Sequence, residues 1–276
     1  MKALTLRYCG SLLLAVGMLL LCGAGALASM SVAPLSLQFE LLPEETGSGR
    51  FIVRNTGDET IDVSVSLHDW WRTDDGSLQI LPAGTQTRSC AGWAVYSTSS
   101  VRLAAGEQAE VAVQLIVPAD VLPGDHWAML LVEEHPVPGE EAQVQEGLTD
   151  TTRVVVAYAV KILVRGQVDT LSEAAITGVE IAGTNPLQIA VTYENTGNKH
   201  LMTAGLVEIR DVLGETLRAV EIPPFPTLPG EARSLTIEDS SEEAIPDGLY
   251  YAVVVLDFGG EYLVQGGTSF EVDEVE

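Results

Sequence analysis

Cysteine, basic residues and histidine are all scarce in this chain of 276 residues, and each scarcity excludes something. There are three cysteines: Cys9 and Cys22 fall in the first thirty residues, leaving Cys90 alone in the remainder. A single thiol makes no internal disulfide, so any domain here must be held by burial and sheet hydrogen bonds. Cys90 reads as a small apolar filler. Lys and Arg total 14 against 39 Asp and Glu. A field so negative repels phosphate backbones and anionic lipid heads, so nucleic acid and acidic membranes are excluded as partners. The four histidines, His68, His126, His135 and His200, show neither i, i+4 spacing nor cysteine neighbours, so no zinc site is expected. Asp74-Asp75-Gly76 lacks the alternating oxygen ligands of a calcium loop. Phosphate-binding Gly-rich loops, a Gly-x-Ser-x-Gly elbow and a Cys/His nucleophile pattern are also missing. No cofactor, no metal and no enzymatic activity are expected.

Long apolar runs are missing too, except near the start. Lys2 and Arg7 precede a Leu-rich run over 11–21, and Ala26-Leu27-Ala28 places small residues where a signal peptidase reads. A leader over 1–28 is expected. A lipoprotein reading at Cys22 would want a small residue where Leu21 stands. With no later stretch long enough to span a bilayer, the mature chain is expected to be exported, periplasmic or at the cell surface, without a transmembrane segment.

What remains is rich in short β-type runs. They lie at 50–62, 63–70, 110–117, 127–133, 154–164, 187–193, 205–210, 234–238 and 250–258, punctuated by Gly, Pro, Asn and Asp. This pattern predicts an all-β sandwich or barrel class. Ile61, Val63, Val65 and Leu67 alternate with polar residues, as one buried strand face requires.

The chain also repeats itself. Asn55-Thr56-Gly57 is matched by Asn195-Thr196-Gly197, read as a tight turn with positive φ joining two antiparallel strands. Leu103-Ala104-Ala105-Gly106-Glu107 is matched by Leu228-Pro229-Gly230-Glu231, and Pro123-Gly124-Asp125 by Pro246-Asp247-Gly248. The same eighteen-residue step separates Gly106 from Gly124 and Gly230 from Gly248. Two tandem immunoglobulin-like β-sandwiches follow, one over 29–168 and one over 169–276, with a linker near 166–173. The first carries an insertion in which Asp74-Asp75-Gly76 reads as a hairpin turn.

With the strands laid out, the first half resembles the N-terminal domain of periplasmic pilus-assembly chaperones. The resemblance is carried by the strand pair around Asn55, the Gly106-Glu107 turn, the Val-Pro-x-Asp-x-x-Pro segment over 117–123, a Pro/Glu-rich loop over 135–150 and the long strand ending in Val160-Lys161-Ile162-Leu163-Val164-Arg165. It implies that this last strand is added to a partner's sheet. Val154, Val156 and Tyr158 would be the alternating positions, and Lys161 would hold the partner's C-terminal carboxylate. The sequence departs from that family in its first strand, which has Gln38 and no base, and in His126-Trp127-Ala128 where the family has Arg-Glu-Ser. The whole architecture is similar to the surface proteins that partner WxL proteins in Gram-positive bacteria. That likeness rests on Tyr193-Glu194-Asn195-Thr196-Gly197-Asn198-Lys199-His200, on Glu208-Ile209-Arg210-Asp211 and on Gly214. It implies a peptidoglycan-binding first sandwich and a protein-binding second one, although the membrane helix and basic tail common there are not found here.

Two functions are therefore open. One is a chaperone-like assembly protein that captures exported bacterial proteins, surface or pilus-like subunits, by β-strand addition along 154–164. The other is an envelope module recognising peptidoglycan, another glycan or a surface protein through the aromatics Trp70, Trp71, Trp93 and Tyr96. A structural spacer is a third, weaker option.

Overall fold

The protein is represented by a computed structural model that describes residues 29–135, 156–241, 243 and 245–272. The leader expected over 1–28, most of the loop over 135–150 and Val154 lie outside the described residues. The first sandwich comprises β1 (Met30–Ala33), β2 (Ser36–Leu41), β3 (Thr46–Asn55), β4 (Ile61–Arg72), β5 (Leu78–Pro82), β6 (Ala94–Tyr96), β7 (Ser100–Leu103), β8 (Gln108–Ile116), β9 (His126–His135) and β10 (Ala157–Gly166). One sheet runs β1-β3-β8-β6; the facing sheet runs β2-β10-β9-β4-β5, with β7 also on β4. The second comprises β11 (Ala175–Thr184), β12 (Leu187–Glu194), β13 (Leu201–Arg210), β14 (Thr216–Thr227), β15 (Ala232–Glu238), β16 (Gly248–Asp257) and β17 (Val264–Val272). Its sheets run β11-β12-β15 and β14-β13-β16-β17. No sheet mixes strands of the two halves, so the two immunoglobulin-like sandwiches are built separately.

Alternation puts the cores where period two requires. Ile61, Val63 and Val65 of β4 pack with Phe51, Val111, Val113, Leu130 and Ile162 in the first core. Leu187, Ile189, Val191 and Tyr193 of β12 do the same with Val207, Ile209, Val254 and Leu256 in the second. Each such side chain contributes roughly 1.5–3 kcal/mol by leaving water. Cys90 is fully buried in the first core and reduced.

The Asn-Thr-Gly triplets behave differently from the turn expected of them. β3 and β4 lie in opposite sheets, as do β12 and β13, so each triplet is a crossover between layers and not a hairpin. Neither Gly57 nor Gly197 has positive φ. The asparagine itself does the work. Asn55 is fully buried; its Nδ2 donates to the carbonyls of Glu59 and Leu103, and its Oδ1 accepts from the Gly57 N–H. Asn195, also buried, donates to Lys199 and Thr227 and accepts from Gly197. The adjoining Gly-Glu turns repeat as closely. Glu107 accepts from the Ala104 N–H at 2.9 Å, and Glu231 from the Leu228 N–H at 2.7 Å. Gly106 and Gly230 sit at φ 73° and 78°, the left-handed region that glycine enters without strain.

Replacing Asn55 or Asn195 by alanine strands a buried carbonyl in each case. Each substitution is expected to cost about 2–3 kcal/mol, an unmet buried acceptor and two lost bonds together. Equal urea-midpoint shifts for the two variants would confirm that the crossovers are equivalent; a shift in only one would break the equivalence.

β14 was not anticipated from the sequence. It contains Pro223, Pro224 and Pro226 yet pairs with β13, because Pro223 and Pro224 fall in a register shift between Ile222 and Phe225 and the strand is a sheet edge whose outer N–H groups are not needed. Asp74-Asp75-Gly76 forms the hairpin tip between β4 and β5. There Asp75 Oδ1 accepts from the Ser77 N–H at 2.9 Å, and Gly76 has φ 88°.

Candidate partner-binding edge and the cleft between the sandwiches

β10 presents two faces. Val160, Ile162 and Val164 are buried in the first core, with Val156 and Tyr158 packed partly against it. On the other face, Leu163 and Ala159 join Trp70, Trp127, Met129 and Leu228 in a cluster that seals the first sandwich to the second.

Its two edges are unequal. On one side β10 pairs with β9 from Ala157 to Val164. On the other, β2 runs parallel to it only from Lys161 to Gly166, and the first bond there is Lys161 N–H to the Leu35 carbonyl at 3.0 Å. The chain before β2 belongs to the opposite sheet, where β1 pairs with β3, and it crosses over at Ala33-Pro34. Residues 157–160 therefore have no ladder partner on that side among the described residues. Of this segment only Tyr158 reaches across, its hydroxyl donating to the Met30 carbonyl at 2.8 Å.

Lys161 stands where the covered edge begins. Its Nζ lies 4.7 Å from the centre of the Trp70 ring, and the Arg72 guanidinium lies 4.9 Å from the same ring. Burial pushes the Lys161 pKa down, and Arg72 adds to this; Glu231 opposes it. Glu231 comes from the second sandwich and is fully buried. Arg72 approaches its Oε2 at 3.4 Å and Arg233 its Oε1 at 3.7 Å. Burial nonetheless raises the Glu231 pKa. Glu231 Oε1 and Arg233 Nε lack hydrogen-bond partners. Lys161, Arg72 and Arg233 thus gather at Glu231 in a protein otherwise short of bases, and Asp75 at the hairpin tip also acts on Arg233. Such a cleft has surplus positive charge for an incoming anion.

A second polar cluster fixes the cleft. Asp125, fully buried, accepts from the Gly166 N–H at 3.0 Å, the His200 N–H at 2.7 Å and Arg165 Nη1 at 3.2 Å. Its own N–H donates to the Asn198 carbonyl at 2.7 Å. Arg165 also donates to the His200 carbonyl. The β4–β5 hairpin adds a clamp, the Ser234 N–H donating to the Asp74 carbonyl at 2.8 Å.

The aromatics considered for glycan recognition are placed unevenly. Trp70 is 3% exposed; its indole donates to the Ala128 carbonyl, and that of Trp127 donates to the Trp70 carbonyl. Trp71 packs on the same cluster, 6.1 Å from Trp127. The junction thus takes up both adjacent tryptophans. Trp93 and Tyr96 pack partly against the first core, Trp93 with its ring 4.7 Å from His126. The sequence reading missed Arg72, Asp125 and Glu231. The internal repeat held a signal for the last of these: the equivalent Glu107 makes the same turn but is exposed.

Among the described residues, no group of three or more His, Cys, Asp or Glu is placed to hold a metal ion, and no helix is long and apolar enough to cross a membrane. No family model matches the chain, and no curated protein matches it. Among solved structures, the chain is similar in fold to fimbrial chaperones. The class 5 fimbriae chaperone CfaA matches at 14% identity and TM-score 0.44, over 89% of this chain and 100% of its own. The chaperone–tip subunit pre-assembly complex of archaic Csu pili from Acinetobacter baumannii matches at 14% and 0.43, over 86% and 98%. The CupB2 chaperone of Pseudomonas aeruginosa matches at 14% and 0.40, over 88% and 100%.

Proposed function

We propose that this chain is an exported, non-enzymatic, chaperone-like assembly protein that captures other exported proteins by β-strand addition along β10. The observation that carries the reading is the uncovered stretch 157–160, which ends at Lys161 in a cation-rich cleft. An incoming strand would pair with the free backbone groups of that stretch. Val156 and Tyr158, with Val154 before them, would continue the apolar face into the partner's core. Lys161 would receive the partner's C-terminal carboxylate, helped by Arg72. The leader-like 1–28 supports export. Recognition of peptidoglycan through stacked rings would need an open ring face, and Trp70 has none.

The test is affinity capture of envelope proteins by the tagged chain, with deuterium uptake followed in the purified complex. Uptake at 157–160 should fall on binding. A Val156→Asp, Lys161→Glu variant should capture at least about tenfold less, equivalent to about 1.4 kcal/mol. Undiminished capture by that variant, or unchanged uptake at 157–160, would reject strand addition at this edge.

A further inference from the structure

At the foot of the first sandwich, away from the edge described above, a cavity of about 200 Å³ opens beside the start of the linker. Its lining includes Leu41, Trp93, Val117, Val121, Val164 and His126. Val117, Val164 and His126 are buried, whereas Leu122 and Val168, also part of the lining, are exposed. The cavity therefore has a buried apolar floor and a mixed mouth on the surface, where Leu122 and Val168 stand beside Gln167 and Asp169. Val164 lies roughly 13–23 Å along β10 from residues 157–160 at the usual strand rise, so strand addition does not use it.

One polar group in this wall is deeply buried and half unused. His126 is 3% exposed. Its Nδ1 lies 3.2 Å from the Gly124 carbonyl, an acceptor, so Nδ1 carries the hydrogen and Nε2 is left as a lone-pair acceptor. Nε2 has no hydrogen-bond partner among the described residues. The ring is neutral at physiological pH, because burial and then Arg88 push its pKa down to about 4. Trp93 stacks beside it at 4.7 Å.

We propose that this cavity binds a small neutral hydroxyaryl compound, a single phenolic ring whose hydroxyl donates to His126 Nε2. Size sets the first part of the assignment. An apolar cavity of about 150 Å³ holds benzene, so the larger volume here holds one ring with a small substituent and is too small for a drug-sized ligand. Chemistry sets the second. The largely apolar walls cannot offset the desolvation of a charged ligand, and the Asp169 carboxylate at the rim repels anions. Nε2 has no protein donor and is not sealed from solvent, so it is an acceptor that a ligand entering the cavity can reach, and a phenol brings a donor while remaining protonated at neutral pH. The aromatic wall of Trp93 suits a flat ring.

The experiment is ligand-observed fluorine NMR on the exported chain with two probes, 4-fluorophenol and fluorobenzene. The wild type is expected to bind 4-fluorophenol at least about tenfold more tightly than fluorobenzene, the worth of one satisfied acceptor. Val121→Trp, which fills the cavity, should abolish binding of both. His126→Phe, which keeps a ring but removes the acceptor, should make the two probes equal. No saturable binding of 4-fluorophenol at millimolar concentration, or equal affinities for the two probes in the wild type, would overturn the proposal without any variant having to fold. Binding of N-acetyltyrosinamide about tenfold more tightly than 4-fluorophenol would also overturn it, making the cavity a seat for a partner's tyrosine.

Discussion

Asp125→Ala should lower the free energy of unfolding by about 3–5 kcal/mol, the largest loss expected of any single side chain at the junction. The carboxylate is fully buried and accepts three hydrogen bonds, two of them from the backbone N–H groups of Gly166 and His200. Truncation leaves those donors unpaired out of water, each at about 1–3 kcal/mol. It also leaves Arg165, whose side chain is 29% exposed, without its anion, the kind of broken pair that is costly when partly buried. The penalty falls on the connection between the sandwiches, since Gly166 ends β10 and His200 precedes β13. Asp125→Asn, which keeps one acceptor oxygen, should cost about half as much. The measurement is the urea midpoint with the slope held fixed. A loss below about 1 kcal/mol for the alanine variant would mean that this carboxylate does not hold the halves together.

Much of the fold could be read from local pattern. The alternation of Ile61, Val63, Val65 and Leu67 is a local signal: the first three are buried as it requires, and Leu67 packs partly against the same core. The repeated landmarks also kept their order, because a duplicated strand plan leaves its turn residues in register. What escaped was of two kinds. β14 was hidden because Pro223, Pro224 and Pro226 argue against a strand, and its edge position together with the irregularity at Pro223-Pro224 makes them acceptable. The Asn-Thr-Gly triplets were located correctly but given the wrong physics. The residue type suits a hairpin, and nothing in the sequence shows that the flanking strands part into two layers.

The junction was beyond reach for a different reason. Arg72 and Glu231 are 159 positions apart, and Asp125 and His200 are 75 apart. No spacing rule connects such pairs. Lys161 entered only through a family likeness, which also demanded a base on the first strand. The structure places Arg72 of β4 over the same indole as Lys161. The comparison of Glu107 with Glu231 shows how the second half was adapted. One turn glutamate stays in water, while its counterpart keeps the same N–H and is covered by two arginines. A local cap has become part of a long-range contact, which holds the cleft behind β10 in one shape. A fixed cleft would suit the strand addition proposed for β10, since little ordering would then be left to oppose binding.

Acid should loosen this junction through two histidines before the bulk of the carboxylates titrate. His126 and His200 are both held neutral, with pKa values pushed down from 6.5 to about 4. For His126 the causes are burial and then Arg88; for His200 they are burial and then Arg165, Arg72 and Lys161. Below pH 6.5 the unfolded chain binds protons at these sites that the folded chain refuses until about pH 4. Stability is therefore complete above pH 6.5 and falls as the pH drops through that window. From pH 7 to pH 4.5 each histidine should remove about 2–3 kcal/mol. His200→Gln keeps the backbone N–H that Asp125 accepts and has no imidazole to protonate, so its urea midpoint should fall less steeply on acidification than the wild type's. The double variant with His126→Phe should flatten the profile further. The carboxylates titrate in all three proteins, so the differences between their profiles isolate the imidazoles. If the three profiles run parallel from pH 7 to pH 4.5, neither histidine is buried neutral and the cleft's positive charge does not reach them.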